Sequence, residues 1–190
     1  MRKTGYSSLI IHGRYKIMNI EYIYLQLYRL FDKSTPILAD CGKLCAKRCC
    51  QGVDFGMYLF PGEERVYRLL SPEWAKIEKS DFLYNFGKKT KSVPILFCSG
   101  CCDRYQRPLA CRIFPLTPYI NKSGKTEIII DPRAKAICPL AKTLFISEFD
   151  QKFVKNVKRA FSLLLKNKEI AEYLKKYSEY IDEYKKFFKE

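Results

Sequence analysis

Residues 41–50 read Cys-Gly-Lys-Leu-Cys-Ala-Lys-Arg-Cys-Cys, and residues 98–115 read Cys-Ser-Gly-Cys-Cys-Asp-Arg-Tyr-Gln-Arg-Pro-Leu-Ala-Cys-Arg-Ile-Phe-Pro. Together with Cys138, which precedes Pro139, these stretches hold all 9 cysteines of the 190-residue chain. Cysteine is rare and reactive, so such grouping has three explanations: metal, disulfides or thiol chemistry. An odd number excludes complete pairing within one chain. Adjacent residues such as Cys49–Cys50 and Cys101–Cys102 would also strain badly if joined to each other. In a reducing compartment, clustered thiols are metal ligands or redox groups more often than structural disulfides.

Composition supports that compartment. The chain is 47% hydrophobic, enough for a core, yet no apolar run approaches the roughly 18 residues a membrane helix needs. The basic start, residues 1–17, carries only the short run Leu9-Ile10-Ile11, and no small-residue cleavage site follows it. The expectation is a cytoplasmic protein, with no membrane partner and with Met18 as an alternative start. The net charge of +15 raises a nucleic-acid or membrane-surface partner. The lysines are dispersed, especially from Lys152 to Lys189. Lys, Ile and Tyr are abundant together, as in AT-rich coding.

Periodicity frames the cysteines with helices. Ile20, Ile23, Tyr24, Leu27, Leu30 and Phe31 mark one face of a helix over 19–32, which Asn19 can cap and Pro36 ends. The run 41–50 is short of helix signals and predicts a knuckle, a loop turning around a ligand. Met57–Phe60 predicts a strand. Pro61-Gly62-Glu63-Glu64 starts a helix, with acids at the positive end of its dipole. Ser71-Pro72-Glu73 predicts a second short helix through Trp74 and Ile77. Val93–Phe97 predicts a strand entering the second cysteine group. Asn121-Lys122-Ser123-Gly124 predicts a hairpin turn between strands 117–120 and 126–130. Beyond it, Ser147 is the expected cap of a helix bearing Phe149, Phe153, Val154, Val157, Phe161, Leu164 and Leu165. After a break near Asn167, a further helix bears Ile170, Leu174, Tyr177, Ile181, Tyr184 and Phe188. This aromatic-rich face is core packing or a partner surface.

The expected architecture is α+β: a small irregular cysteine-rich metal-binding core with short strands, packed with an N-terminal helix and a C-terminal helical hairpin. The divisions are a basic extension over 1–17, a cysteine-cluster domain over 18–142, and the hairpin over 143–190.

Soft sulfur ligands select zinc, iron–sulfur clusters or copper(I). Two-residue spacing, as in Cys98-x-x-Cys101, lets a loop aim both sulfurs at one ion; the three-residue gaps among Cys41, Cys45 and Cys49 are looser. The candidate ligands are Cys41, Cys45, Cys49, Cys50, Cys98, Cys101, Cys102, Cys111 and Cys138, with the choice between Cys101 and Cys102 open. They would form one all-thiolate site, or two sites of four ligands each with one cysteine spare. His12 is the one histidine and sits in the extension. Cys138-Pro139 is similar to the Cys-Pro that closes bacterial ferredoxin motifs. Arg48, Arg104, Arg107 and Arg112 lie near the thiols in sequence. Arg107 and Arg112 in particular are candidates for stabilising the net negative charge of a four-thiolate centre.

The second cysteine block resembles the CxxCxxCC zinc- or iron-chelating domain family, also known as YkgJ-like cysteine cluster proteins. Arg107, Pro108, Cys111, Arg112, Phe114 and Pro115 match the family's Arg-Pro-x-x-Cys-Arg-x-Phe/Tyr-Pro segment. Cys45, Cys49 and Cys50 match its first knot, with longer gaps, and Tyr105-Gln-Arg-Pro is one residue shorter than the usual form. The resemblance spans about residues 38–142 and implies chelation of zinc or iron. One branch of the family includes flagellin lysine N-methylases, which implies an alternative: an iron–sulfur enzyme using S-adenosylmethionine. Asp54, Glu63 and Glu64 would be its candidate acids, although Gly52, Gly56 and Gly62 do not form a strand–Gly-x-Gly–helix unit. A basic nucleic-acid adaptor with structural zinc is a third reading.

Overall fold

The computed structural model describes residues 19–51, 56–100, 102 and 104–189. Over these the fold is α+β. The expected extension 1–17, His12, Asp54 and Cys101 lie outside the described residues.

Helix α1 (Ile20–Leu30) turns Tyr24, Leu27 and Tyr28 inward, as its periodicity predicts. Two short helices with a strand between them follow: α2 (Cys41–Leu44), β1 (Gly56–Tyr58) and α3 (Glu64–Leu70). Strands β2 (Ala75–Phe86) and β3 (Lys89–Cys98) form a long hairpin, and β1 adds to the other edge of β3, all antiparallel. Helix α4 (Leu109–Ile113) leads into a second hairpin of β4 (Leu116–Ile120) and β5 (Thr126–Ile130). Its turn is held by the Asn121 side chain, whose Oδ1 accepts from Ser123 N and Lys125 N at 3.0 Å each. A short helix α5 (Pro139–Thr143) precedes the helical hairpin of α6 (Gln151–Leu164) and α7 (Lys168–Phe188).

The helix expected after Ser71-Pro72-Glu73 is instead the start of β2. Ser71 is spent as the left-handed C-cap of α3, its N–H donating to Tyr67 O. From Ala75 onward the backbone pairs with β3, Ile77 facing Leu96. A bulge between Lys79 and Leu83 breaks the register, and Ser80 Oγ bridges it by donating to Val93 O at 2.7 Å. That bulge also accommodates Pro94, which lies in the central strand opposite Lys79 and has no N–H for the ladder.

The cap of α6 is Asp150 rather than Ser147. Asp150 Oδ1 accepts from Phe153 N at 2.6 Å, while Ser147 sits in a 3-10 turn just before it. Asn167 marks the break as expected and caps α7, accepting from Glu169 N at 2.9 Å. The tail's apolar face is core. Phe60 meets Phe161 edge-on at 5.2 Å and Tyr173 at 5.8 Å, and Phe153 meets Phe31 at 6.1 Å. Phe187 and Phe188, past the core contacts, remain exposed. Among the described residues no helix is long and apolar enough to cross a membrane.

Gly62 fixes how α3 enters beneath α1. Its φ is +89°, and a Cβ there would lie 2.9 Å from Ile20 Cγ1. Both backbone strain and the clash act against a side chain, so Gly62→Ala is expected to cost on the order of 2 kcal/mol. Urea denaturation followed by circular dichroism measures this; an unchanged midpoint would mean that α1 moves aside freely.

Candidate metal centre

The first knot is shaped by its backbone. Asp40 Oδ1 accepts from Gly42 N at 3.1 Å and starts α2 at Cys41. Cys45 ends that helix. Ala46 and Lys47 then both adopt positive φ, 49° and 57°. Two successive left-handed residues with side chains are unusual and reverse the chain tightly. Lys47 N donates back to Gly42 O at 2.9 Å, and Gln51 Nε2 donates to Ala46 O at 2.7 Å. The 3-10 turn Arg48–Cys50 follows. The predicted loop is therefore two helical turns joined by a left-handed reversal.

The reversal brings three sulfur residues to one side. Cys41, Cys45 and Cys49 line a small cavity of about 40 Å³, and Cys138 completes its cysteine lining from the N-cap of α5. The remaining walls are apolar, including Phe114, Pro115, Pro139 and Leu140. Cys138 is buried, and its N–H donates to Ala134 O at 2.7 Å, so a 3-10 turn fixes its place. Since about 10–15 Å³ suffices for one water, the cavity accepts an atom-sized guest.

A second set of cysteines gathers where β3 ends. Cys98 accepts from the Gly100 N–H and shares a hydrogen bond with the Cys102 thiol. Gly100 has φ +85°, and a Cβ there would approach Cys50 O to 3.3 Å, so the two knots meet at this point. Arg107 Nε donates to Cys102 Sγ at 3.4 Å. Cys111 comes from α4 and lies within the electrostatic reach of Cys102 and Cys50.

Electrostatics differ along the cluster. Burial, then neighbouring thiolate charge, pushes Cys111 well above the usual thiol range. Cys49 and Cys50 have sulfurs 3.9 Å apart. Cys50 is lowered to about 6, chiefly by the hydrogen bond from Cys49 and secondarily by the Arg107 charge, which together outweigh burial. Cys49 moves the opposite way, for the same hydrogen bond and for burial. Burial pulls the Arg107 guanidinium down, but its bond to Cys102 and the surrounding thiolates leave it above its ordinary value.

The arginines separate by role. Arg107 reaches sulfur. Arg112 is committed elsewhere: its guanidinium donates to Arg107 O at 2.6 Å, Tyr28 O at 2.9 Å, Tyr105 O at 2.8 Å and Asp32 Oδ1 at 3.1 Å. It also lies 4.6 Å from the Tyr28 ring centroid. Arg104 Nε donates to Asp32 O at 3.2 Å, and its charge reaches Cys41. Arg48 opens the 3-10 turn that carries Cys49 and Cys50.

Of the candidate acids, Glu63 is fully buried and accepts from Tyr28 Oη, Phe60 N and Leu109 N. Glu64 Oε2 is buried without a hydrogen-bond partner. Sequence reasoning did not identify Gln106, which accepts from Tyr67 Oη at 2.6 Å and from Trp74 Nε1 at 3.0 Å, pinning the 104–106 turn to α3 and β2. No local signal marks it, since its partners are remote in sequence. Among the described residues no group of three or more His, Cys, Asp or Glu side chains is already arranged to hold a metal ion. The donor set suits one chemically: soft thiols, an apolar cavity and nearby N–H donors.

No family model matches the chain, and no match was found among the curated proteins or the solved structures.

Proposed function

We propose that this is a metal-binding protein of the CxxCxxCC type, chelating zinc or an iron–sulfur cluster through its clustered thiolates. One observation carries the reading: Cys138 and the knot Cys41, Cys45 and Cys49, from distant parts of the chain, line one otherwise apolar cavity. Cys45 Sγ has only a long bond to Cys41 O at 3.5 Å, and Cys49 Sγ one to Cys50 Sγ at 3.9 Å, whereas a soft cation would take all four thiols of the lining. Bound zinc would supply a cross-link, and a cluster would supply one-electron chemistry.

The chain also places donors beside the sulfurs. The Gly100 N–H donates to Cys98, and Arg107 donates to Cys102, offsetting charge that four thiolates leave uncompensated on a divalent ion. Arg112 acts one step back, fastening Arg107 O and Tyr105 O to α1 and so holding the loop that carries Arg107.

The test is elemental analysis and a visible spectrum of full-length protein purified anaerobically. Stoichiometric zinc in colourless protein, or iron with sulfide in coloured protein, is the expected result. Protein that is metal-free as purified, and that takes up neither ion after reduction, would sink the reading.

A further inference from the structure

We propose that the cysteines build two separate four-thiolate sites, one from Cys41, Cys45, Cys49 and Cys138 and the other from Cys50, Cys98, Cys102 and Cys111, with the Cys49–Cys50 peptide as the seam between them. This deepens the metal-binding reading and rests on it. A tetrahedral ion takes four sulfurs, so a single ion leaves half of these eight unused. The fold already sorts them. Cys49 lines the cavity that Cys41, Cys45 and Cys138 share, whereas Cys50 is absent from that wall. Cys50 instead abuts Gly100 through its carbonyl, beside the loop that bears Cys98 and Cys102.

The local backbone lets two neighbours serve different ligand sets, since Cys49 alone of the pair lines the cavity. Arg48–Cys50 is a 3-10 turn, in which successive side chains project about 120° apart. The two sulfurs still lie 3.9 Å apart, so the ligand sets meet edge to edge at this turn, which the left-handed pair Ala46–Lys47 positions. A double cysteine is therefore a means of placing two ligand sets side by side.

The two sites differ in character. The first ties α2 to the N-cap of α5 across a mostly apolar cavity, which suits a structural cross-link. The second carries its own donors: Gly100 N–H on Cys98 and Arg107 on Cys102. It joins the end of β3 to α4.

The experiment is an anaerobic cobalt(II) titration of reduced, metal-free full-length protein, read by the visible absorption of tetrahedral cobalt thiolate. Native mass spectrometry of the zinc form gives an independent count. Wild type is expected to saturate at two ions per chain. The pair Cys45→Ser with Cys138→Ser is expected to reduce this to one, as is the pair Cys98→Ser with Cys111→Ser. Cys101→Ser is expected to retain two.

Saturation of wild type at one ion overturns the two-site assignment while leaving metal binding intact. Loss of every ion from either pair, with the helical signal retained, means a single shared site and overturns it as well. Loss of an ion in Cys101→Ser overturns the place given to Cys102. Failure of wild type to bind any ion overturns metal binding itself. The wild-type count needs no variant to fold.

Discussion

Glu63→Leu is expected to destabilise the protein by on the order of 4 kcal/mol. The carboxylate has no solvent exposure. Its Oε1 accepts from Tyr28 Oη at 2.6 Å and from Leu109 N at 2.7 Å, and its Oε2 accepts from Phe60 N at 3.1 Å. Leucine fills much the same volume and leaves all three donors unpaired. Each buried orphan costs about 1–3 kcal/mol. Leu109 is the first residue of α4, which carries Cys111 and Arg112, so the same change loosens one flank of the candidate centre. Urea denaturation gives the loss directly. A cost below about 1 kcal/mol would mean that water replaces the carboxylate, and the hub assignment would be withdrawn.

The same group predicts a pH dependence. Burial pushes the Glu63 carboxyl from its ordinary 4.5 up to about 7, against the pull of its three donors and the Arg112 charge. The folded state then holds a proton that the unfolded chain has already lost. The stabilising contribution is complete below pH 4.5 and fades as pH rises through about 7. Two to three pH units of difference correspond to about 3 kcal/mol. Stability measured from pH 5 to pH 8 is expected to decline more steeply in wild type than in Glu63→Gln, which cannot titrate. Parallel profiles would assign the slope to other groups.

Those two results concern a residue whose importance the sequence hides. In Pro61-Gly62-Glu63-Glu64 an acid at the head of a helix is a common dipole partner, and nothing nearby signals burial. Two of its three partners come from α1 and α4, remote in sequence. By contrast α1, α6 and α7 were legible because an amphipathic stripe records its own packing. The β4–β5 hairpin was legible because Asn121 and Gly124 encode its turn locally. The start of β2 misled for the same local reason. Ser71-Pro72-Glu73 carries helix-start chemistry, yet Ser71 was already engaged as the cap of α3, and a strand's partner is not written in its own residues.

The candidate centre divides along the same line. The grouping of the cysteines was legible from spacing and type. Which sulfur faces which was not, because that depends on the left-handed reversal at Ala46–Lys47 and on where α5 sets Cys138. Arg107 and Arg112 also look equivalent in sequence. Only the folded chain separates a guanidinium bonded to sulfur from one bonded to backbone carbonyls and Asp32.

Metal removal is expected to weaken the protein without dissolving its fold. The main apolar core, which includes Tyr24, Phe60, Phe153, Phe161, Tyr173 and Ile181, contains no cysteine. It draws on α1, α3, α4, the strands and the α6–α7 hairpin, with Phe60 meeting Phe161 and Tyr173 and Phe31 meeting Phe153. A zinc finger has no such core and unfolds when stripped. Here the ions would instead fasten the 41–51 segment and the loop after Cys98 onto a body that already packs Leu109 and Ile113 of α4 into its core. Ligand linkage at a thousandfold excess over the dissociation constant is about 4 kcal/mol, or about 10 °C in the thermal midpoint of a chain this size. Chelation of zinc-loaded protein under reducing conditions should lower the midpoint by about that much. The far-UV helical signal and a single cooperative transition should persist, while limited proteolysis begins near the exposed Leu38 and Leu44. Collapse of the helical signal on chelation would mean that the ions hold the whole molecule together. An unmoved midpoint would mean that they contribute nothing to stability.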